Sequence, residues 1–121
     1  MINFLPIKKN KIIYIFTFLI FLFPQYSTAN NEDMLIQKVY KLLQDKKFTE
    51  SIDTLDELSQ NNNIQAQLLY SKILFAGNII PQDFNQSYLW ANMAFLGGIK
   101  KSSQLIEMLN NYLTEKQIEE I

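Results

Sequence analysis

The sequence predicts an all-α protein, a short α/α solenoid built of helical hairpins. Apolar residues recur at every third or fourth position over most of residues 34–118, which is the spacing of an amphipathic helix. Short polar or Gly/Pro segments separate these stretches. Two of the stretches, 64–77 and 83–98, are joined by a tight turn. An αα-hairpin of this kind is the unit from which helical repeat proteins are built.

The N-terminus has the three parts of a secretory signal peptide. Lysines within residues 8–11 form its positive region, and residues 12–23 are apolar apart from one threonine. Small residues then lead to Ala29, after which we expect cleavage. We therefore predict a signal peptide over 1–29 and an exported mature chain, either periplasmic or secreted.

An uncleaved membrane anchor is the alternative interpretation of this segment. A helix needs about 20 apolar residues to cross a bilayer. The apolar stretch is shorter and ends before Pro24. No cysteine is present to carry a lipid, so a lipoprotein is excluded. We expect no stable membrane anchor after cleavage.

The composition removes most catalytic chemistry. The 121 residues include no Cys and no His, and the 11 basic residues are all Lys. The usual general base, the thiol nucleophile and the soft metal ligands are therefore missing, as is the bidentate clamp that Arg provides for phosphate. We predict that the protein is not an enzyme and has no catalytic residue, no cofactor and no metal site.

The charge of the mature chain argues against nucleic acid as a partner. Residues 30–121 carry 8 Lys and 12 Asp or Glu, a formal charge of −4. Nucleic-acid binding requires a basic stripe or patch to neutralise phosphates. Because the chain also lacks disulfides, apolar packing must stabilise the fold.

Two helices are predicted in the region 33–59 that precedes the hairpin. Polar residues 30–33 are expected to cap a first helix over 33–45. Its expected apolar face consists of Met34, Leu35, Val39, Leu42 and Leu43. A second helix over 49–59 follows a polar corner and has Phe48, Ile52, Leu55 and Leu58 on its apolar face. With the small Ser51, this order resembles a degenerate tetratricopeptide unit.

The third and fourth predicted helices form the central hairpin, at about 64–98. The third is so apolar that it must be covered on most sides, and Gly77 is expected to end it in the left-handed conformation. Pro81 lies in the turn, and Asp83 is expected to cap the fourth helix in a capping box with Gln86. The expected core face of that helix comprises Ser87, Trp90, Ala94 and Phe95, and the stop is Gly97-Gly98.

The hairpin resembles the Sel-one-like repeat, a relative of the tetratricopeptide repeat. The matching residues are Ala66, Tyr70, Ser71, Leu74, Gly77, Pro81-Gln82-Asp83-Phe84, Ser87, Trp90, Ala94 and Gly98. The resemblance implies that Ala66 and Ala94 are close-packing small residues and that Trp90 is the core aromatic of the second helix. It also implies that Gly77 and Gly98 end the two helices and that Pro81 to Asp83 form the turn.

Four positions depart from the pattern of that family. Ser71 occupies a position that is usually Gly, and Leu74 one that is usually Tyr. Ile79 replaces a second loop Gly, and Ser87 replaces Ala. Each replacement keeps size or polarity close to the family's residue, so the resemblance over 66–98 is that of a diverged copy.

The tail, 101–121, is predicted to close the solenoid. A fifth helix carries Leu105, Ile106, Met108, Leu109, Tyr112 and Leu113 and is expected to pack on the fourth. A short last helix begins after Thr114, which we expect to form a capping box with Gln117. A terminal cap is needed because an open solenoid end would expose an apolar face to water.

Few residues stand out as functional candidates. Asp53, Asp56 and Glu57 lack the glycine-containing loop of a calcium site and are interpreted as a solvated helix face. Tyr88 lies two residues from Trp90 on the same helix, so it points to a different face and is a candidate for a partner surface.

The function expected from this sequence is an exported, non-catalytic protein–protein interaction module. By analogy of fold, such a scaffold or adaptor binds another protein or a peptide through its grooved face. One alternative is a secreted repeat factor that acts on a host or competitor. A second alternative is a small-molecule-binding or enzymatic domain.

Overall fold

A computed structural model of the chain describes the backbone of residues 24–121 and the side chains of residues 31–121. The apolar segment of the expected signal peptide lies outside the described residues. The packing reported below concerns Leu35–Ile121. The described residues form six helices and no strand, so the all-α prediction is confirmed for this part of the chain. The helices are α1 Pro24–Gln44, α2 Phe48–Gln60, α3 Ile64–Ala76, α4 Phe84–Leu96, α5 Ser102–Leu109 and α6 Glu115–Glu119.

The first helix differs from its prediction at its N-terminal end. The helix α1 includes Pro24 rather than starting near residue 33, so residues 30–33 lie within it and do not cap it. The expected cleavage point after Ala29 also falls within α1. Asn and Asp prefer caps to helix interiors, but this preference is weak enough that a helix can continue through them on an exposed face.

The buried face of α1 was predicted only in part. Ile36, Val39 and Leu42 are buried, at the spacing of three residues that keeps side chains on one face. Met34 is 67% exposed and Leu35 is also exposed, so placing both on the apolar face was wrong.

The core of the described fold consists of two apolar clusters. The first joins α1, α2 and α3 through Ile36, Val39, Leu55, Leu58, Ala66, Tyr70, Ile73 and Leu74. The second joins α4 to α5 and the chain after it through Ala91, Leu105, Leu109 and Leu113. The helix α3 packs against α2 and α4, and α4 also packs against α5. Seven residues of α3 are buried, which confirms that this helix is covered on most sides.

The turns of the central hairpin have the expected geometry with one exception. Gly77 ends α3 in the left-handed conformation, with φ 68°. Asp83 caps α4, where its Oδ1 accepts a hydrogen bond from the Gln86 N–H at 2.9 Å. The backbone N–H of Asp83 donates to the carbonyl of Leu74 at 3.1 Å, so the predicted capping box with Gln86 is wrong. The box between Thr114 and Gln117 is confirmed.

The loops after α2 and α4 share one hydrogen-bond pattern. After α2, the N–H groups of residues 61, 62 and 63 donate to the carbonyls of residues 57, 59 and 58. After α4, those of residues 97, 98 and 99 donate to the carbonyls of residues 93, 95 and 94. Both loops turn at a residue with positive φ, Asn62 in the first and Gly98 in the second, and the loop after α1 has the same pattern with Lys46 at this position. Asn is, after Gly, the residue that tolerates this conformation best.

Candidate partner-binding groove

A groove runs between α3 and α5, the two helices that flank α4. Its volume is about 290 Å³. We call it the α3–α5 groove. Its lining consists of Leu68, Lys72 and Phe75 from α3 and of Lys101, Gln104, Leu105 and Met108 from the start and body of α5.

The lining residues share one face of each helix. On α3 they lie at positions 68, 72 and 75, and next to α5 at 101, 105 and 108, which are spacings of four and three residues. Leu68 and Leu105 are buried and form the floor. Lys72 and Lys101 are exposed, and Met108 is 46% exposed. The groove therefore has an apolar base and a rim that solvent reaches.

The rim is positively charged in an otherwise acidic domain. No Asp or Glu is among the lining residues of the groove. Within residues 31–121 the ion pairs are Lys38–Glu50 and Lys116–Glu120, and neither involves Lys72 or Lys101. Both rim ammonium groups are thus available to a negatively charged ligand.

Two aromatic rings, Phe84 and Tyr112, extend the apolar surface from Phe75. Phe84 and Tyr112 stack with centroids 4.6 Å apart at an angle of 28°. Phe75 packs against both rings, with centroids at 5.7 Å and 5.9 Å. Tyr112 is 58% exposed and lies beyond the end of α5, whereas the sequence placed it on the apolar face of that helix. The partly exposed rings continue the apolar surface at one end of the groove.

The residues of the sequence motif lie mostly away from the groove. Ala66 and Ala94 are fully buried, and Pro81 is exposed in the loop before α4. Trp90 is half-buried, stacks on Tyr70 with centroids 6.0 Å apart, and packs against the first cluster. Its Nε1 is buried without a hydrogen-bond partner among the described residues. Trp90 is thus a packing residue with one uncompensated polar atom.

Two further residues of α4 were assigned to particular faces by the sequence. Tyr88 is half-buried, packs against the second cluster and does not line the groove. Phe95 is 41% exposed, so its placement on the core face was wrong. The groove was missed because Leu68 lies in the apolar third helix and Leu105 was expected to pack on the fourth, so neither stood out as part of a site. The sequence signal that could have revealed the groove is a lysine and two apolar residues at spacings of four and three, which occurs at 68, 72 and 75 and again at 101, 105 and 108.

Burial raises the pKa of the Tyr70 phenol above its usual value of 10.0. The carboxylates of Asp56, Asp53 and Asp83 raise the pKa further, since they disfavour a second negative charge nearby. The neutral phenol is therefore stabilised in the folded protein.

Comparison of the chain with protein-family models, curated proteins and solved structures finds no match. Within residues 24–121, no helix combines the length and the hydropathy needed to cross a membrane. No group of three or more Asp or Glu in that part of the chain is arranged to hold a metal ion.

Proposed function

We propose that this protein is an exported, non-catalytic interaction module of the helical-repeat type, which binds a segment of another protein in the α3–α5 groove. The observation that carries this proposal is the groove itself. It combines an apolar floor, a solvent-accessible rim and exposed lysines on or next to the two helices that flank α4. Apolar anchors surrounded by polar groups are the usual composition of a protein-binding surface.

A recurrence of 36 residues supports the repeat architecture. The helices α2 and α4 both have 13 residues, and they begin at Phe48 and Phe84. Each has a fully buried serine three residues later, Ser51 and Ser87. Repeats of 34 to about 47 residues made of helix pairs are typical of α-solenoids.

The proposal includes export, which rests on the composition of residues 1–29. Mass spectrometry of the native protein should find a mature N-terminus at Asn30. A chain that retains Met1 and sediments with membranes would contradict cleavage and favour the anchor. Protein held behind an outer membrane would indicate a scaffold of the envelope, and release into the medium would indicate a secreted factor.

The size of the groove favours a peptide segment over a small-molecule ligand. Pockets for drug-sized ligands have volumes of about 300–1,000 Å³ and enclose most of the ligand. The α3–α5 groove, at about 290 Å³, is at the lower limit, and three of its lining residues are exposed polar side chains. It fits a few side chains of a larger partner better than a whole small molecule.

Site-specific crosslinking tests the proposal. A photoreactive residue at Gln104, on the rim, should capture a defined partner in the native envelope or culture fraction. The same residue at Glu57, exposed on α2 and outside the groove, is the matched control. Equal capture at both positions, or none at Gln104, would overturn the assignment of the groove.

A further inference from the structure

We propose that the α3–α5 groove selects segments in which Asp or Glu side chains flank apolar residues. This inference rests on the proposed function and adds the chemistry of the partner. The carboxylates would pair with Lys72 and Lys101, and the apolar residues would contact Leu68, Leu105 and Met108.

Charge complementarity favours an acidic segment as the ligand of the groove. The domain is acidic overall, yet the groove concentrates two lysines and no carboxylate. A basic segment would be attracted to the domain as a whole but repelled at the rim. An acidic segment would be repelled by the domain as a whole but attracted to this rim, where the two lysines lie beside an apolar floor without a carboxylate.

The arrangement of each lysine allows charge pairing and apolar contact together. Lys72 follows Leu68 by four residues, and Lys101 precedes Leu105 by four, so each lysine lies beside a floor residue. Lysine stems cover apolar surface while their ammonium groups remain in water. A carboxylate at the rim can pair with such a group without being buried, which avoids the large cost of desolvation.

The dimensions of the groove limit the length of the segment. Leu68 and Phe75 are separated by seven residues of helix, a rise of about 10 Å. An extended chain covers that distance with about three residues, and a helix with two turns. The recognised segment is therefore short, with one or two apolar residues between its acidic ones.

A peptide selection on the full chain tests this inference. The probe is a phage-displayed library of random octapeptides, followed by synthesis of the enriched sequences and of versions with Gln and Asn in place of Glu and Asp. We expect enrichment of acidic residues next to Leu, Ile or Phe. The double variant Lys72→Gln/Lys101→Gln should weaken binding about two- to thirtyfold, the loss expected when two exposed ion pairs are removed. The affinity should also fall as salt is raised.

The control variant is Lys46→Gln/Lys47→Gln, a second exposed pair of lysines that lies outside the groove. It should leave the affinity unchanged. The charge reversal Lys72→Glu/Lys101→Glu should shift the selected peptides from acidic to basic sequences. Equal binding of the acidic and amide peptides, or equal losses in both lysine pairs, would overturn the inference.

The variant Met108→Ser separates this inference from the proposed function. Met108 is partly exposed, so its replacement changes the groove while the core remains intact. If Met108→Ser weakens binding but the lysine variants do not, the groove binds peptides without selecting acidic ones. If neither change affects binding, or no peptide is enriched, the groove is not the docking site and both proposals fail.

Discussion

The hydroxyls of Ser71 on α3 and Ser87 on α4 each donate a hydrogen bond to the backbone carbonyl of the other residue, at 2.6 and 2.8 Å. Both side chains are fully buried, and their oxygens lie 3.2 Å apart. Two helices can exchange such bonds only where both side chains are short. In the Sel-one-like repeat, which this hairpin resembles, position 71 is usually Gly and position 87 is usually Ala. Serine is larger than these residues by only one or two heavy atoms and adds side-chain hydrogen bonds that neither Gly nor Ala can form.

The helix α5 is joined to α4 in a similar way. The buried hydroxyl of Ser102 donates to the carbonyl of Ala91 at 2.6 Å. Ala91 and Ala94 on α4 are both fully buried. Small residues thus occupy the close contacts of α4 with its neighbours, and these contacts position the two walls of the groove.

Replacing either serine of the reciprocal pair should destabilise the protein. We expect Ser71→Ala and Ser87→Ala each to lower the free energy of unfolding by about 1 kcal/mol, the contribution of a typical buried hydrogen bond. Urea titration followed by circular dichroism measures the change. Ser103→Ala, an exposed serine next to Ser102, should change stability by less than about 0.5 kcal/mol. If Ser71→Ala and Ser87→Ala lower the free energy of unfolding no more than this control does, the buried hydroxyls are not stabilising.

The cap of α4 gives a second prediction. Asp83→Ala should cost about 1 kcal/mol of unfolding free energy, because the Gln86 N–H loses its acceptor at the helix N-terminus. Gln86→Ala should have little effect, since the backbone N–H of Asp83 donates to Leu74 and not to the Gln86 side chain. Thermal or urea unfolding of the two variants measures both values. If Gln86→Ala lowers the free energy of unfolding as much as Asp83→Ala does, the Gln86 side chain contributes to the cap and the capping box is present after all.

The sequence predicted the central hairpin well because its signals act locally. Gly77 has the left-handed conformation that other residues avoid, and an Asp side chain satisfies N–H groups of the helix that it precedes. These effects operate within a few residues. The bounds of α2, α3 and α4 and the caps at Asp83 and Thr114 therefore followed from short patterns.

Other features depend on contacts between distant residues, and these could not be predicted. The buried face of α1 includes Ile36 rather than Leu35 because α2 and α3 determine which side is covered. The groove arises because α3 and α5 both pack against α4, and no single segment specifies that separation. The 36-residue recurrence was visible at Phe48 and Phe84, but Leu55 and Leu58 are replaced by alanines at the matching positions 91 and 94, which conceals it.

Because Trp90 is only partly buried, its replacement by Ala should lower the free energy of unfolding less than replacement of a fully buried aromatic would. A fully buried aromatic replaced by Ala costs about 3–5 kcal/mol. Because Trp90 is half-buried, we expect Trp90→Ala to cost about 2–3 kcal/mol, and Leu96→Ala, at a position 79% exposed, less than about 0.5 kcal/mol. Trp90→Phe should cost less than the lost area suggests, since it also removes the buried Nε1 that lacks a partner. Urea unfolding measures the three variants. A fluorescence maximum equal to that of free indole would contradict the stacking on Tyr70.

The raised pKa of Tyr70 predicts a loss of stability at alkaline pH. In the unfolded chain the phenol ionises near its usual value of 10.0, whereas the folded protein binds that proton more tightly. The protonated Tyr70 phenol therefore makes its full contribution to the free energy of unfolding below pH 10. This contribution is lost as the pH rises through the pKa of the folded protein. Melting temperatures measured from pH 8 to 12 should fall less steeply for Tyr70→Phe than for the native chain. Tyr112→Phe, at an exposed ring, is the control, and identical slopes for both variants would contradict the assignment.

Gly97 is required because of a neighbouring side chain and not because of its backbone conformation. Its φ is −72°, which any residue adopts, but an added Cβ would collide with Cγ2 of Ile64 at the start of α3. We expect Gly97→Ala to lower the unfolding free energy by about 1–3 kcal/mol, the usual cost of overpacking. Ile64→Leu moves the branch away from Cβ and removes Cγ2, so in that background the cost of Gly97→Ala should be smaller. A double-mutant cycle by urea unfolding measures this coupling. If the losses of the two single variants simply add, the contact with Ile64 is not the reason why a side chain is excluded at position 97.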